Sequence, residues 1–437
     1  MFSRHRHMLN IAVPQVLGNL LHTLVIYTDF LMVSKLSAEA IVAVGVGMQI
    51  WGLFYASMAL IYTGQNTLMS RFVGAKAYTK ASMLLSSLLI FVMLLSIPTI
   101  LFWQNIGIQI FEMIDTDPKV FELGKDYLMT LFIAIPLEYV NSIFFTAMVA
   151  NGNSKTPMYI ASGIVFLNVL FDYMLIFGHF GFEPMGVEGA AIATVGTILF
   201  EYIVYAALYL KRKTGYQPMR YFSLNLIKRV LRIGFPAMID RLLGSGAMLL
   251  FTIIVLALGT TISAGFQLGF RIEGLAFMPG FGFAMAASVL MGQGLGAKNP
   301  DNSYKDVLLA LRYGVSVMFA VSILFIFVPE YLVGFFTKDR EVIKEASYYL
   351  IVVGITQIPL AIGFILNGAL KGAGDTKRVF RINILTTWTF RLLPGLVSVY
   401  GFGSIYGIYF GLVADPLAKA VIYWKVFKKG EWRRLRV

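Results

Sequence analysis

Residues 16–32 read VLGNLLHTLVIYTDFLM, and one carboxylate, Asp29, interrupts an otherwise apolar run. An ionised Asp near the centre of a bilayer costs about 2.5–3.5 kcal/mol even on lenient insertion scales, so something has to neutralise it. A second acid follows later. In FLNVLFDYM, Asn168 and Asp172 stand four residues apart, on one face of a helix. Thr194 lies in the next apolar segment, EGAAIATVG. If these side chains converge, two carboxylates, an amide carbonyl and a hydroxyl form an all-oxygen set suited to a hard cation such as Na+. The same pair could share a proton instead, because burial and like charge both favour a neutral carboxyl. The alternative is structural: two protonated acids hydrogen-bonded to helix neighbours.

A second group of ionisable residues sits in later apolar segments: Asp240 and Arg241 (AMIDRLL), Arg271 and Glu273 (FRIEGLAF), and Arg391. Acids and bases nearly balance here, which reads first as a structural ion-pair network. A substrate-facing or proton-sensing role for Asp240 or Glu273 is the alternative. Glu138, Glu201, Asp415 and Lys419 are weaker candidates at a bundle seam or interface. His22, seven residues before Asp29, reads as a packed histidine rather than a proton relay. Pro14 could bend the first segment and so shift Asp29 between two positions.

The elements that must position these residues are legible in the composition. Of 437 residues, 58% are hydrophobic and 14% charged, against about 25% charged in a soluble globular protein. This is the composition of a polytopic membrane protein. With no Cys, disulfides and thiolate metal sites are excluded. The first apolar run is too long for a signal peptide and reads as a retained helix. Apolar windows fall at about 10–33, 41–70, 82–107, 121–149, 157–179, 189–211, 230–258, 264–296, 305–329, 341–370, 379–400 and 404–427. They predict an all-α membrane protein of twelve transmembrane helices, since a helix satisfies its own backbone in lipid.

The basic residues sort by loop. Alternate connections, beginning with Arg4 and Arg6 and ending with the tail KVFKKGEWRRLR, carry 26 of the 36 Lys and Arg; the opposite set carries six. The positive-inside rule puts both termini in the cytoplasm, as an even number of spans requires. The net charge of +13 is then topological, with some attraction to anionic lipid, and no nucleic-acid partner is expected.

The sequence also repeats itself. Shifted by 222 residues, Pro14 falls on Pro236, Gly47 on Gly269, GAK (74–76) on GAK (296–298), Asp117 on Asp339, Tyr127-Leu128 on Tyr349-Leu350, Gly152 on Gly374 and Lys155 on Lys377. Two pseudo-symmetric six-helix bundles follow, residues 1–218 and 219–437. Because six is even, the repeat is parallel, about an axis along the membrane normal. Under the same shift Asp29 becomes Phe251, Asn168 becomes Phe390 and Asp172 becomes Pro394. The second half has lost the acidic set, so the halves have different tasks.

No G-x-x-x-x-G-K-[ST] loop for ATP, no H-E-x-x-H and no G-x-S-x-G elbow occurs. Neither an intramembrane enzyme nor a passive scaffold explains the acids. The motifs SRFVGAK and GQGLGAK, NGNSKTP and GAGDTK, GAAIAT, and above all RIEGLAFMPGFGFAMAASVLMGQGLGA resemble those of the multidrug and toxic compound extrusion (MATE) family over essentially the whole chain. The resemblance implies a secondary antiporter without cofactor, in the cell membrane. It would expel mostly cationic, amphipathic organic compounds in exchange for Na+ or H+, as a monomer among membrane lipids. It implies a cation site at Asp29, Asn168, Asp172 and Thr194. Some members carry further acids on helices 7 and 10, where this chain reads LLGSGAML and IPLAIGFILNG; the resemblance is therefore to the DinF-like branch. A lipid-linked precursor flippase of the same superfamily is the rival reading.

Overall fold

The computed structural model describes residues 2–114, 117–211 and 216–435. Three of the basic residues used for topology, Arg212, Lys213 and Arg436, lie outside them. Among the described residues the chain is helical, with no strand. In order come α1 (Phe2–Val33), α2 (Ala38–Gly74), α3 (Tyr78–Leu94), α4 (Ser96–Met113), α5 (Pro118–Ile133), α6 (Ile135–Ala150), α7 (Lys155–Phe177) and α8 (Gly186–Leu210). Then follow α9 (Leu224–Leu256), α10 (Thr260–Gly296), α11 (Pro300–Phe327), α12 (Pro329–Gly334), α13 (Arg340–Gly372), α14 (Thr376–Thr386), α15 (Leu393–Leu396) and α16 (Tyr406–Lys429).

These helices account for the expected spans. Among the described residues nine are long and apolar enough to cross a membrane by themselves. Two more spans are bent pairs, α3–α4 by 54° and α5–α6 by 49°. The α5–α6 bend lies just before Pro136, which has no N–H to continue the ladder. The twelfth is α16, whose interior Asp415 and Lys419 lower its mean hydropathy. The eleventh span is irregular in its second half: α14 gives way to π-helical turns at Thr387–Leu392 and Val397–Gly401 on either side of α15. Helix starts are chemically marked. Asp117 accepts from Lys119 N–H before Pro118, and Asp339 accepts from Glu341 and Val342 N–H, in both cases capping orphan donors.

Contacts divide the chain into two compact units. The first comprises residues 17–65 and 76–232; the second comprises 233–437 with 1–16 and 66–75. Relative to a division at residue 218, the differences lie in the N-terminal end of α1, the C-terminal end of α2 and residues 219–232, which include the start of α9. Within the second unit the contacts of the α1 and α2 ends are specific: Arg4 pairs with Asp306 at 2.8 Å, His5 meets Tyr313 at 3.0 Å, and Arg71 donates to the Ala373 and Leu435 carbonyls. The core of the first unit gathers around Ile50, Phe54, Trp103 and Phe132. That of the second gathers around Phe251, Phe266, Tyr349 and Val353.

The repeat is visible in the contacts. A side chain added at Gly47 would strike the Tyr127 ring, and one at Gly269 would strike Tyr349, the same pair 222 residues on. Lys76 and Lys298 both have positive φ (54° and 56°), as do Gly152 and Gly374 (83° and 88°). Where the two repeats meet in the second unit, equivalent residues touch each other. Asn66 donates to the Ser288 hydroxyl at 2.8 Å, and the two lie 222 positions apart. Gly74 packs on the Gln293 backbone and Gly296 on the Arg71 backbone, two reciprocal contacts. No Cβ fits in either, so the glycines let helix backbones touch.

Gly296→Val should therefore lower the thermal unfolding midpoint in detergent, at a cost of about 1–3 kcal/mol from overpacking. Gly18→Ala, where a methyl meets nothing within 4 Å, should leave it unchanged or raise it. Tryptophan fluorescence during a thermal ramp distinguishes the two.

Candidate functional site

The first unit brings the four expected residues together. Asp29 lies near the C-terminal end of α1, Asn168 and Asp172 on α7, and Thr194 on α8. Helix α8 packs on α7 through Gly189, against Leu175 and Ile176, and Gly196, against the Phe171 ring. At Gly189 the contact is so close that a Cβ would press on the Leu175 backbone. Met185 N–H donates across the α7–α8 turn to the Leu175 carbonyl at 2.9 Å. This docking sets Thr194 beside the Asn168–Asp172 face.

The Asp29 carboxyl faces Asp172, Asn168 and Thr194. Asn168 and Asp172 are fully buried, and Asp29 is 5% exposed. Asp29 Oδ1, both Asp172 oxygens and both polar atoms of the Asn168 amide have no hydrogen-bond partner within the protein. The Thr194 hydroxyl donates to the Ala190 carbonyl at 3.0 Å, which leaves its lone pairs available. Among the described residues no Lys or Arg acts on either carboxyl. Two buried acids thus confront each other with acceptor oxygens around them and no positive charge from the chain.

Tyr127 on α5 joins this pocket. It is 3% exposed and lies close enough to Asp29 and Asp172 to feel both. In the sequence Tyr127 stands out only as a landmark of the repeat. Its counterpart Tyr349 donates to Glu273 at 2.6 Å, so in each half this tyrosine faces an acid. The paired Tyr-Leu match was the available signal.

The second unit holds a different arrangement. A cavity of about 340 Å³ is walled by aromatic rings, Phe251, Phe270, Phe277 and Phe364 among them, and by Asp240, Glu273, Arg391, Asp415 and Lys419. Here each acid has a partner. Asp240 meets Lys371 at 3.1 Å and accepts from Asn383 at 2.9 Å. Asp415, 1% exposed, lies between Arg391 at 3.1 Å and Lys419 at 2.9 Å. Glu273 accepts from Tyr349 and Gln357 and feels Arg391. Of the five residues singled out in these segments, Asp240, Glu273 and Arg391 line the cavity, whereas Arg241 and Arg271 are exposed and do not. Hydropathy could not tell these apart, because facing depends on helix rotation. Arg391 sits in a π-helical turn, a distortion that recurs at functional positions. Pro14 lies buried inside α1, two residues before the point where the helix passes from one unit to the other. Among the described residues no three His, Asp or Glu side chains are grouped to hold a metal ion.

The MatE family model matches residues 14–174 and 236–397, one match in each half. A probable multidrug resistance protein NorM of Thermotoga maritima is 29% identical, over 99% of this chain and 94% of its own length. In solved structures the same fold occurs in a MATE transporter of Vibrio cholerae, VcmN, with TM-score 0.91 and 19% identity over 99% of both chains. It also occurs in an outward-facing multidrug resistance MATE family transporter of the MOP superfamily, with TM-score 0.90 and 20% identity over 99% of this chain and 97% of that one.

The Asp415 pairing can be checked directly. Asp415→Ala would leave Arg391 and Lys419 facing each other without an anion, and should destabilise the protein by about 3–5 kcal/mol. Lys419→Met keeps the Arg391–Asp415 pair and should cost much less. Thermal unfolding of the two variants in one detergent gives the comparison.

Proposed function

This chain belongs to the multidrug and toxic compound extrusion family of multi-pass membrane transporters, and from that premise we propose that it exports organic, mostly cationic and amphipathic compounds in exchange for inward Na+ or H+. It is a transporter and not an enzyme. The observation that carries the coupling assignment is the Asp29–Asp172 pair, two buried carboxyls with acceptor oxygens around them and no cationic side chain. A single exchangeable positive charge resolves that electrostatic conflict, whether it arrives as a proton or as Na+. Asn168, Thr194 and Tyr127 complete the oxygen shell. The relatives named as multidrug resistance proteins support the export of small organic molecules.

In this reading the protein acts as a monomer in the cell membrane with both termini in the cytoplasm, and the two six-helix halves alternate access. The inward ion supplies the driving force, with the membrane potential adding about 2.3 kcal/mol per charge per 100 mV. Coupling requires that ion and substrate favour different states, since a ligand shifts an equilibrium only by its differential affinity. The aromatic cavity of the second unit, with acids and bases nearly balanced, suits amphipathic organic molecules. A lipid-linked precursor flippase would call for an excess of basic groups facing a pyrophosphate, and that cavity has none.

Ethidium efflux from proteoliposomes, with Na+ and pH gradients imposed separately, tests the proposal. Asp29→Asn and Asp172→Asn should each abolish gradient-driven efflux while the protein stays folded. Undiminished coupled efflux by both variants would refute it.

A further inference from the structure

A second acidic pair lies deeper in the first unit, on the same spans as the Asp29–Asp172 pocket. Glu138 on α6 is 8% exposed and accepts from the Tyr55 hydroxyl at 2.8 Å. Glu201 on α8 accepts from Asn141 Nδ2 at 3.2 Å and feels Glu138. Among the described residues no Lys or Arg acts on either acid. Asn141 is 2% exposed; its amide nitrogen also reaches the Ile198 carbonyl at 2.9 Å, while the other end of that amide, Oδ1, has no partner. The His22 ring stands edge-on to Tyr55, centroids 6.3 Å apart. These groups belong to the first unit alone.

The two levels are in register. Thr194 and Glu201 are seven residues apart on α8, and Asp29 and His22 are seven apart on α1. Seven residues are two helical turns, a step of about 10 Å along one face. The bent α5–α6 span also serves both levels, with Tyr127 at the first and Glu138 and Asn141 at the second. Between them on α8, buried Thr197 donates to the Thr194 carbonyl at 2.7 Å. The second level lies toward the N-terminal end of α1, the side that the basic loops assign to the cytoplasm. Each level holds two acids, a tyrosine and an amide with an unpartnered buried atom; the first adds Thr194, and among the described residues no Lys or Arg acts on the acids of either.

We propose that Glu138 and Glu201, with Tyr55 and Asn141, form a second station for the coupling cation, one step inward from the Asp29–Asp172 pocket on its way to the cytoplasm. This inference rests on the antiport reading above. Ionisable groups inside a membrane are costly and by default mark an ion pathway. Here the cost is borne twice, on neighbouring spans of one unit. One positive charge passing from the first pair to the second relieves each like-charge conflict in turn.

Full-length protein in proteoliposomes provides the test, read as ethidium efflux under whichever imposed gradient, Na+ or pH, drives the wild type. Glu138→Gln and Glu201→Gln should each slow gradient-driven efflux tenfold or more. Ethidium binding in detergent, measured by fluorescence polarisation, should stay within twofold and so report a folded protein. Tyr55→Phe, which removes one oxygen, should slow efflux at least threefold. Efflux within twofold of wild type in the Glu138→Gln/Glu201→Gln double variant, while Asp29→Asn is inactive, overturns the second station and leaves the antiport reading standing. Undiminished gradient-driven efflux in both Asp29→Asn and Asp172→Asn overturns both readings. Should the glutamine variants fail to fold, Tyr55→Phe decides alone, and unchanged efflux there overturns the proposal.

Discussion

A charge in a low-dielectric interior must meet an opposite charge or give up its own, and the organisation of this protein follows from that constraint. The second unit meets it internally. Asp240, Glu273 and Asp415 are matched by Lys371, Arg391 and Lys419, through ion pairs of about 3 Å or through direct charge interaction. The first unit does not. Asp29, Asp172, Glu138 and Glu201 lie on four neighbouring spans with no basic side chain acting on any of them. The acids at the second unit's cavity are matched by the chain's own bases, whereas among the described residues the buried acids of the first unit meet none.

This difference arose on a shared frame. The contact of Gly47 with Tyr127 is repeated by Gly269 with Tyr349, and the left-handed lysines at 76 and 298 end equivalent helices. Each tyrosine still faces an acid, but the acid has changed places: Asp29 and Asp172 from α1 and α7 in one half, Glu273 from α10 in the other. The position equivalent to Asp29 is Phe251, and the Arg391 guanidinium lies 5.9 Å from its ring. An aromatic face thus stands where the other half has a carboxylate, and the cation over it is held by Asp415 instead.

Much of this was legible in the sequence, for physical reasons. A span of lipid-facing helix needs some twenty apolar residues, so length and composition locate spans without knowledge of packing. The same logic flags Asp29, Asn168 and Asp172, because polar groups in such spans stand out. Facing within a helix is less legible. Hydrophobic periodicity fades when lipid on one side and a protein core on the other are both apolar, so Arg241 and Arg271 could not be separated from Arg391. The bend before Pro136 had a marker. The π-helical turns at Thr387–Leu392 and Val397–Gly401 had none beyond Pro394, because they depend on how α16 packs against them. Tyr127 was missed as a site residue because a tyrosine in an apolar span is ordinary until an acid is found beside it. Glu138 and Glu201 were visible as acids, but their convergence through Asn141 is a tertiary fact.

The charge balance of the second unit also bears on the energetics of antiport. A membrane potential does work only on net charge displaced across it. Three buried acids matched by three bases displace no net charge when they move as a body, so this set of side chains adds little electrical cost to a change of position. In the proposed cycle the charge bound in the first unit is then what couples most directly to the potential. A pair of carboxyls sharing one proton or one Na+ carries a net charge of −1, and an empty, ionised pair carries −2. Loading therefore changes the electrical work of the transition by one elementary charge. Moving that charge by one station of about 10 Å, within a hydrocarbon core of about 30 Å, would divide the crossing of the field into steps instead of a single large one. Acidic pairs on neighbouring helices suit that division, because the like-charge repulsion of one pair is relieved as the other gives up its cation.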